Sequence, residues 1–374
     1  MLLSKAPRLL FQSRLDSKIN QIFRIYEKDY DRLRARVNFY NKLQDPFSFP
    51  SSHDDLPEER VLKRDYHRFS RLASLKLARP NLAALKDNSA QYGSVYYFDS
   101  EEWLHYFPPN LRFSFLYNDV DCLLNFPAIV KSRPIDALNA TSVLLQLDKH
   151  RHFRFVKDAR SFESKKDFLV FRGAVYQPHR LRFFCKHFNN PRCDLGHVGR
   201  VDSNMSADSK NLARLEALLG VKDWQNAGLS AGVTNLHALW QRPKLSIDAQ
   251  LEYKFLLSLE GYDVASNLKW ALSSNSLCML SKPEIETWFM ESNLEAGVHY
   301  AEISPDYENV LEVMDYYLSH PAAAKAIIAN ANAYCAQFFD SDFEGALNLL
   351  VLRKFFYLSG QIAISPMEMQ LFGL

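Results

Sequence analysis

The chain reads LEYKFLLSLEG at residues 251–261, YDVASNLKWALSSNSLCMLSK at 262–282, ETWF at 286–289 and HYAEIS at 299–304. An apolar run ends at Glu260 and Gly261, a polar turn follows, and a helix-like segment through Lys269 leads into a second apolar run. This alternation of strand, turn, helix and strand predicts an α/β architecture. Because the turn after Gly261 can offer backbone N–H groups to a phosphate, the stretch is a candidate anion site.

Composition bounds the class of protein. The 374 residues are 47% hydrophobic and 24% charged, which allows full hydrophobic cores and usually means two domains. The net charge of only +2 argues against a nucleic-acid binder. No apolar run reaches the length of about 20 residues that a membrane span needs. The five cysteines are scattered, with no CxxC pair, which favours free thiols in a reducing cytoplasm.

The order of elements predicts two domains. Short apolar runs from about residue 94 onward predict strands, and from residue 167 strands alternate with helical segments. A helix is predicted over residues 57–77. We place the domains at residues 1–160 and 161–340, with the helical residues 341–374 returning to the first domain.

The N-terminal segment is basic and has a helical pattern over residues 1–44. Two interpretations stay open. The helix can lie on an anionic membrane surface, or it can be an ordinary amphipathic helix packed on the body of the protein.

Three groups of residues are candidates for chemistry. Arg172 and Gly173 leave a predicted strand and precede Arg180, and arginines beside such a turn suit a diphosphate, although a surface arginine pair would read the same way. The second group is the polar helix start at Ala265, Ser266 and Asn267 before Lys269, where a cap and a cation would favour an anion. An ordinary strand-to-helix turn is the alternative there.

The third group surrounds two carboxylates that follow an apolar strand. Asp119 and Asp121 can deprotonate a hydroxyl group, and a DxD pattern can also hold a divalent metal. Lys131 and Arg133 follow and can position an acceptor or neutralise phosphate. A solvated turn and a surface basic patch are the alternatives.

Taken together, these segments resemble glycosyltransferase family 90, which includes bacterial lipopolysaccharide core glycosyltransferases and Rumi-type protein O-glucosyltransferases. The resemblance spans roughly residues 113–339. It rests on NDV at 118–120, PAIVKSRPI at 127–135, FRGA at 171–174, YKFLLSLEG at 253–261, NLKWALSSNS at 267–276, ETWF at 286–289 and HY at 299–300.

The resemblance implies a GT-B-like fold in which two Rossmann-like domains face a central cleft. Residues 1–160 would be the acceptor side and residues 161–340 would bind the nucleotide sugar. The resemblance also implies an inverting, metal-independent transfer from a UDP-sugar that needs no cofactor. The acceptor would be a lipopolysaccharide core sugar at the cytoplasmic face of the inner membrane.

Residue by residue, the resemblance assigns Asp119 as the catalytic base. Arg172, Gly173, Ala174 and Arg180 match the diphosphate segment, and residues 261–269 match a second nucleotide-contacting turn. This chain has Glu260 before Gly261, where eukaryotic members have arginine, so Glu260 is assigned to a ribose hydroxyl instead. Transfer to a protein or to a capsule polysaccharide, and non-catalytic binding of a sugar nucleotide, are the alternative functions.

Overall fold

The computed structural model of the protein describes residues 6–49, 76–78, 94–108, 111–117, 119–220 and 224–374. Over these ranges it is an α/β protein, which confirms the predicted class. The helices are α1 (Ala6–Ile25), α2 (Tyr30–Tyr40), α3 (Ser94–Leu104), α4 (Lys149–His152), α5 (Pro178–His187), α6 (Ser209–Leu219), α7 (Leu236–Trp240), α8 (Ile247–Gln250), α9 (Leu268–Leu272), α10 (Val310–Ser319), α11 (Pro321–Ala336), α12 (Ser341–Leu358) and α13 (Pro366–Phe372). The strands are β1 (Lys76–Ala78), β2 (Phe113–Leu116), β3 (Ala128–Val130), β4 (Ser132–Pro134), β5 (Ser142–Leu144), β6 (Lys166–Gly173), β7 (Cys193–His197), β8 (Tyr253–Leu257), β9 (Leu277–Leu280), β10 (Ile285–Thr287) and β11 (Ala301–Glu302).

The second half of the chain is built on a parallel sheet in the order β7-β6-β8-β9-β11. Both faces of this sheet are covered, because Leu169 and Phe171 of β6 pack into one apolar cluster and Val170 between them packs into another. From β6 the chain winds toward β7, and from β8 it winds toward β9 on the other side. The sheet is therefore doubly wound, with its switch point between β6 and β8.

The first half carries a second sheet in the order β1-β2-β3-β5, in which β1 is antiparallel and β2, β3 and β5 are parallel. An antiparallel pair of β4 and β10 joins the two halves. In that pair Arg133 Nε lies 2.7 Å from Glu286 Oε1, and both side chains are buried. The link brings the ends of β2 and β3 toward the second half.

The C-terminal helices lie against elements of the first half. Asn41 Nδ2 donates to Val351 O at 3.1 Å, and Phe47 N donates to Leu358 O at 2.9 Å. Arg36 of α2 forms a buried ion pair with Glu344 of α12. These contacts seat α12 on the first half, while the domain boundaries at residues 160 and 340 and the GT-B arrangement stay predictions.

The N-terminal helix α1 packs its apolar side on the body of the protein, since Leu15, Ile19 and Ile22 are buried in the larger core cluster. No helix in the described ranges is both long and apolar enough to cross a membrane.

The strand predicted near residue 94 is wrong, whereas most of the helix predicted over residues 57–77 is not tested. The aromatic run near residue 94 forms helix α3, because Tyr96, Asp99 and Ser100 at helical spacing are buried on one side. Of the helix predicted over residues 57–77, residues 57–75 lie outside the described ranges, and Lys76 and Leu77 belong to β1.

Candidate active site

The two polar turns singled out in the sequence meet at the switch point of the parallel sheet. Strand β6 ends at Gly173 and continues into residues 174–177, the β6 turn. Strand β8 ends at Leu257 and continues into residues 258–267, the β8 turn. In doubly wound sheets, ligands bind outside the carboxyl ends of the strands at this point. The topology therefore makes this edge the candidate active site.

Arg180, in the first turn of α5, ties the two turns together. Its guanidinium donates to Ala174 O at 2.7 Å, to Leu259 O at 2.6 Å and to Glu260 O at 2.8 Å. Burial lowers the pKa of Arg180 to about 10, so the group remains charged at neutral pH. Arg180 is thus a partly exposed cation that contacts both turns, and its contact with a diphosphate stays a prediction.

Gly173 leaves room for the ring of Phe171 to pack against the backbone at the end of β6. A Cβ atom at this position would lie 2.6 Å from Phe171 Cζ, so a side chain would displace the buried aromatic ring. Ala174, the next residue, contributes its carbonyl oxygen to Arg180. Gly173 and Ala174 therefore shape the β6 turn through their backbone.

Arg172, for which the sequence predicts a diphosphate contact, pairs with a residue of the neighbouring strand. Its Nη2 lies 2.6 Å from Asp194 Oδ1 on the neighbouring strand β7, and its Nη1 donates to Asp194 O at 2.8 Å. Tyr253 donates a second hydrogen bond to the same carboxylate at 2.5 Å. The guanidinium is thus engaged in joining β6 to β7.

A buried lysine joins the two halves of the molecule beside this edge. Lys131 Nζ lies 2.6 Å from Asp119 Oδ1 and 2.8 Å from Asp263 Oδ2. We call these three residues the carboxylate–lysine triad. Asp119 follows β2, Lys131 lies between β3 and β4, and Asp263 lies in the β8 turn. The triad brings the predicted base of the first half to the turn of the second half.

The three side chains of the triad differ in solvent exposure. The side chain of Asp119 is 31% exposed, whereas those of Lys131 and Asp263 are 2% and 4% exposed. Burial alone would lower the pKa of Lys131, but the negative charges of Asp263 and Asp119 outweigh it and raise that pKa above its usual value. Lys131 is therefore a permanent cation, and Asp119 is the member that a substrate can reach.

Two predicted site cations are internal instead. Lys269 is fully buried and its Nζ lies 2.5 Å from Glu291 Oε1, so it has no surface to offer a phosphate. Arg133 is also fully buried and, besides Glu286, donates to backbone oxygens of Phe39, Tyr40 and Ser142. Both hold neighbouring segments together, in place of the ligand contacts that the sequence suggested.

The remaining candidates lie along the two turns and after β2. Asp121 is partly exposed two residues beyond Asp119, Ser266 is exposed, and Ala265 is buried. Asn267 precedes α9 but makes no side-chain capping bond; it donates to Leu257 O at 2.9 Å and so braces the end of β8.

The β8 turn is closed by its own backbone at the predicted phosphate contact. Gly261 N donates to Asp263 O at 2.8 Å, so this N–H group is already used. Glu260 accepts a hydrogen bond from Glu284 N at 3.3 Å and is partly exposed. The Gly261 N–H is therefore engaged within the turn, and the assignment of Glu260 to a ribose hydroxyl stays a prediction.

Asp263 lies in the stretch at residues 262–282, but nothing in the sequence marks it as a site residue. A phosphate site favours cations and backbone N–H groups, so an acidic residue in this turn carries no signal for such a site. The carboxylate faces Lys131 of the other half, and only three-dimensional contact shows that.

A pair of buried histidines, His197 and His237, supports the β6 turn. Their rings stack with centroids 4.3 Å apart. Val175 N donates to His197 Nδ1 at 3.0 Å, and His237 Nε2 contacts Val175 O at 2.6 Å. Burial, with the neighbouring His197, lowers the pKa of His237 to about 4, and burial also lowers the pKa of His197. Both rings are neutral at pH 7.

Because the pKa values of both histidines are lowered on folding, the free energy of unfolding should decrease at acidic pH. The pKa of His237 is 6.5 in the unfolded chain and about 4 in the folded protein. The unfolded chain therefore binds a proton first, and the folded protein loses stability as pH falls from about 6.5 toward 4. We expect His237 alone to lower the free energy of unfolding by about 2 kcal/mol between pH 7 and pH 5. Urea unfolding at both pH values measures this. In His237→Gln the loss between the two pH values should be smaller by about that amount, and an unchanged loss would contradict the assignment.

Among the described residues, no group of three or more histidine, cysteine, aspartate or glutamate side chains is arranged to hold a metal ion. Asp119, which a DxD metal site would use, contacts the ammonium group of Lys131.

Comparison with known proteins identifies relatives of the chain. The family model described as glycosyl transferase family 90 matches residues 210–345. The O-glucosyltransferase LpsA of Dichelobacter nodosus is 34% identical over 337 residues, which cover 89% of this chain and 86% of that protein. The matched segment contains the β8 turn, and the longer alignment extends well beyond it.

Proposed function

The chain belongs to glycosyltransferase family 90, and we propose that it transfers a hexose, glucose or galactose, from a UDP-sugar to a hydroxyl group of a lipopolysaccharide core sugar. The carboxylate–lysine triad is the observation that carries this proposal. It sets a partly exposed carboxylate, Asp119, against the β8 turn at the switch point of a doubly wound sheet. Such an arrangement suits a proton acceptor next to a nucleotide.

The proposed reaction is a single displacement. The acceptor hydroxyl gives its proton to Asp119 while its oxygen forms a bond to the anomeric carbon. The bond from that carbon to the diphosphate breaks, and its electron pair leaves on UDP. Because the attack comes from the side opposite the leaving group, the configuration at the anomeric carbon inverts.

Arg180 is our candidate for stabilising the diphosphate as negative charge develops on it. A guanidinium carries five N–H donors, and three of them hold the backbone oxygens of the β6 and β8 turns. A fixed cation next to both turns can substitute electrostatically for a metal ion. This supports the proposal of a metal-independent reaction that uses no cofactor.

Arg180→Met tests this role. Loss of a transition-state donor typically raises the barrier by about 2.7–4 kcal/mol, so we expect kcat to fall by about 10²–10³-fold. Steady-state UDP release at saturating donor measures it. Arg182→Met is the matched control, because Arg182 lies on the same helix and donates to Leu219 O at 2.9 Å. Equal losses of kcat in both variants would contradict a specific role for Arg180.

The name of the Dichelobacter nodosus relative specifies O-glucosyl transfer, so UDP-glucose is the first donor to test. The lipopolysaccharide acceptor is supported by the resemblance of KSRPI at 131–135, LKWALSSNS at 268–276 and ETWFME at 286–291 to the bacterial branch of the family. Transfer to a protein or a capsule polymer, and non-catalytic binding of a sugar nucleotide, are the alternative outcomes.

We place the reaction in the cytoplasm at the inner face of the cytoplasmic membrane. A basic surface next to anionic lipid would bring the enzyme to a membrane-embedded acceptor. Because the apolar side of α1 is buried, this contact would use exposed basic residues of the helix such as Arg14 and Arg24.

A panel of UDP-sugars with truncated lipopolysaccharide acceptors, read by mass spectrometry, tests the proposal. We expect one hexosyl residue to be added from a UDP-hexose, at the same rate with and without EDTA. UDP binding without transfer to any saccharide or protein acceptor would favour the non-catalytic alternative. Complete loss of activity with EDTA would show that the reaction needs a metal ion, and Asp119 and Asp121 would then be the candidate ligands.

A further inference from the structure

Lys131 contacts a carboxylate from each half of the molecule, and this arrangement has consequences for the base. The ammonium group is nearly equidistant from Asp119 Oδ1 at 2.6 Å and Asp263 Oδ2 at 2.8 Å. With two carboxylates on one cation, the triad has a net charge of −1. If Lys131 contacted Asp119 alone, it would stabilise the ionised carboxylate more strongly than it does in the triad. Asp119 would then be a poorer proton acceptor.

The second carboxylate is held where it is by the β8 turn. Asp263 O accepts a hydrogen bond from Gly261 N at 2.8 Å, and Arg180 fixes the preceding carbonyl oxygens of Leu259 and Glu260. The position of Asp263 therefore depends on the same turn that faces the proposed nucleotide. Any shift of that turn would change how strongly Lys131 pairs with Asp119.

Other titratable groups face Lys131 from the elements around it. Tyr96 of α3 interacts electrostatically with it, and burial raises the pKa of this phenol to about 12, so it stays neutral. His152 of α4 is buried, and burial together with Lys131 lowers its pKa well below the usual value. Asp148 lies before α4; burial raises its pKa, and Arg151 and Lys131 oppose the shift. Asp119 and Asp263 are the carboxylates within ion-pair distance of Lys131 among the residues described.

We propose that Lys131 and Asp263 are positioning residues that set the ionisation and basicity of Asp119, with Lys131 holding the base ionised and Asp263 limiting how strongly Lys131 binds it. This proposal rests on the proposed function, because it needs Asp119 to accept the acceptor proton. Through Asp263, the donor-side turn would adjust the base across the junction of the two halves.

The proposal predicts shifts of opposite sign in two variants. Activity is lost as pH falls and Asp119 becomes protonated, which gives the acidic limb of the pH profile of kcat/KM. Lys131→Met removes a cation, so the limb should move to higher pH by about one to three pH units. Asp263→Asn removes an anion and leaves Lys131 to Asp119 alone, so the limb should move to lower pH. In the second variant kcat on the plateau should also fall, because the base is weaker.

Two further variants control for general damage. Lys131→Arg keeps the charge, and its acidic limb should stay close to that of the wild type. Lys165→Met removes another fully buried lysine, whose Nζ lies 2.6 Å from Asp158 Oδ2 outside the triad. It is expected to lose stability without moving the limb.

A readout that needs no turnover separates this proposal from the proposed function. Asp119 can be titrated by carboxyl ¹³C NMR in the full-length protein, with its signal identified by its loss in Asp119→Asn. The proposal is supported if the midpoint of this titration shifts to higher pH in Lys131→Met and to lower pH in Asp263→Asn, whichever donor sugar the enzyme uses. Movements in the same direction, or none in either variant, overturn it. Activity that survives in Asp119→Asn overturns the assignment of the base, and the NMR titration still tests the electrostatic part.

Discussion

Asp119→Asn is expected to reduce kcat by about 10²–10⁴-fold while UDP still binds. An amide cannot accept the proton of the acceptor hydroxyl, yet it has nearly the same size as the carboxylate. The fold should tolerate the change because Lys131 keeps Asp263 as a partner at 2.8 Å. Initial rates of UDP release with acceptor measure the loss, and calorimetric titration with UDP measures the retained binding.

Asp121→Asn is the matched control for this variant. Asp121 lies two residues away and is also partly exposed, so the same change tests for a general effect of charge. We expect Asp121→Asn to keep most of the activity. Near-normal turnover in Asp119→Asn would refute the assignment of the base, and Asp121 would then become the candidate.

Lys269→Met is expected to lower the free energy of unfolding by about 3–5 kcal/mol without weakening UDP binding. The variant leaves Glu291 buried without its cation, although Thr287 N still donates to that carboxylate at 2.6 Å. Burying an unpaired charge is the source of the loss. Urea unfolding measures the stability, and calorimetric titration with UDP measures the binding.

Two comparisons sharpen the result for Lys269. The double variant Lys269→Met with Glu291→Gln removes both charges and should recover part of the lost stability. Lys325→Met breaks the ion pair with Glu163 at 2.6 Å, where both side chains are about half exposed, and should lose less than about 1 kcal/mol. Reduced UDP affinity at unchanged stability would instead restore Lys269 as a phosphate contact.

The sequence predicted the α/β class because the strands of the second half are short apolar runs between polar turns. Strand β9, Leu277–Leu280, lies in the second apolar run of residues 262–282, as the sequence predicts. Helix α3 was mistaken for a strand because its aromatic residues favour strands locally. Its helical form depends on tertiary contacts, including the packing of Tyr96 on Tyr117 with ring centroids 5.6 Å apart.

The candidate site was predictable where a motif and the topology agree. Asp119 follows β2, and Arg180 lies in the first turn of α5, which follows the β6 turn at the switch point. Lys269 and Arg133 show the limit of this reasoning. The sequence does not distinguish a lysine or arginine that binds a phosphate from one that pairs with a carboxylate elsewhere in the chain. Glu286, the partner of Arg133, lies 153 residues away in the sequence.

The configuration of the new glycosidic bond tests the central claim, that Asp119 activates an acceptor for direct displacement of UDP. The product from an α-linked UDP-hexose can be isolated with a truncated lipopolysaccharide acceptor, and the coupling constant of its anomeric proton measured by NMR. A single displacement assisted by Asp119 predicts a β-linked hexose. An α-linked product would contradict it, because retention of configuration requires a different reaction at the anomeric carbon.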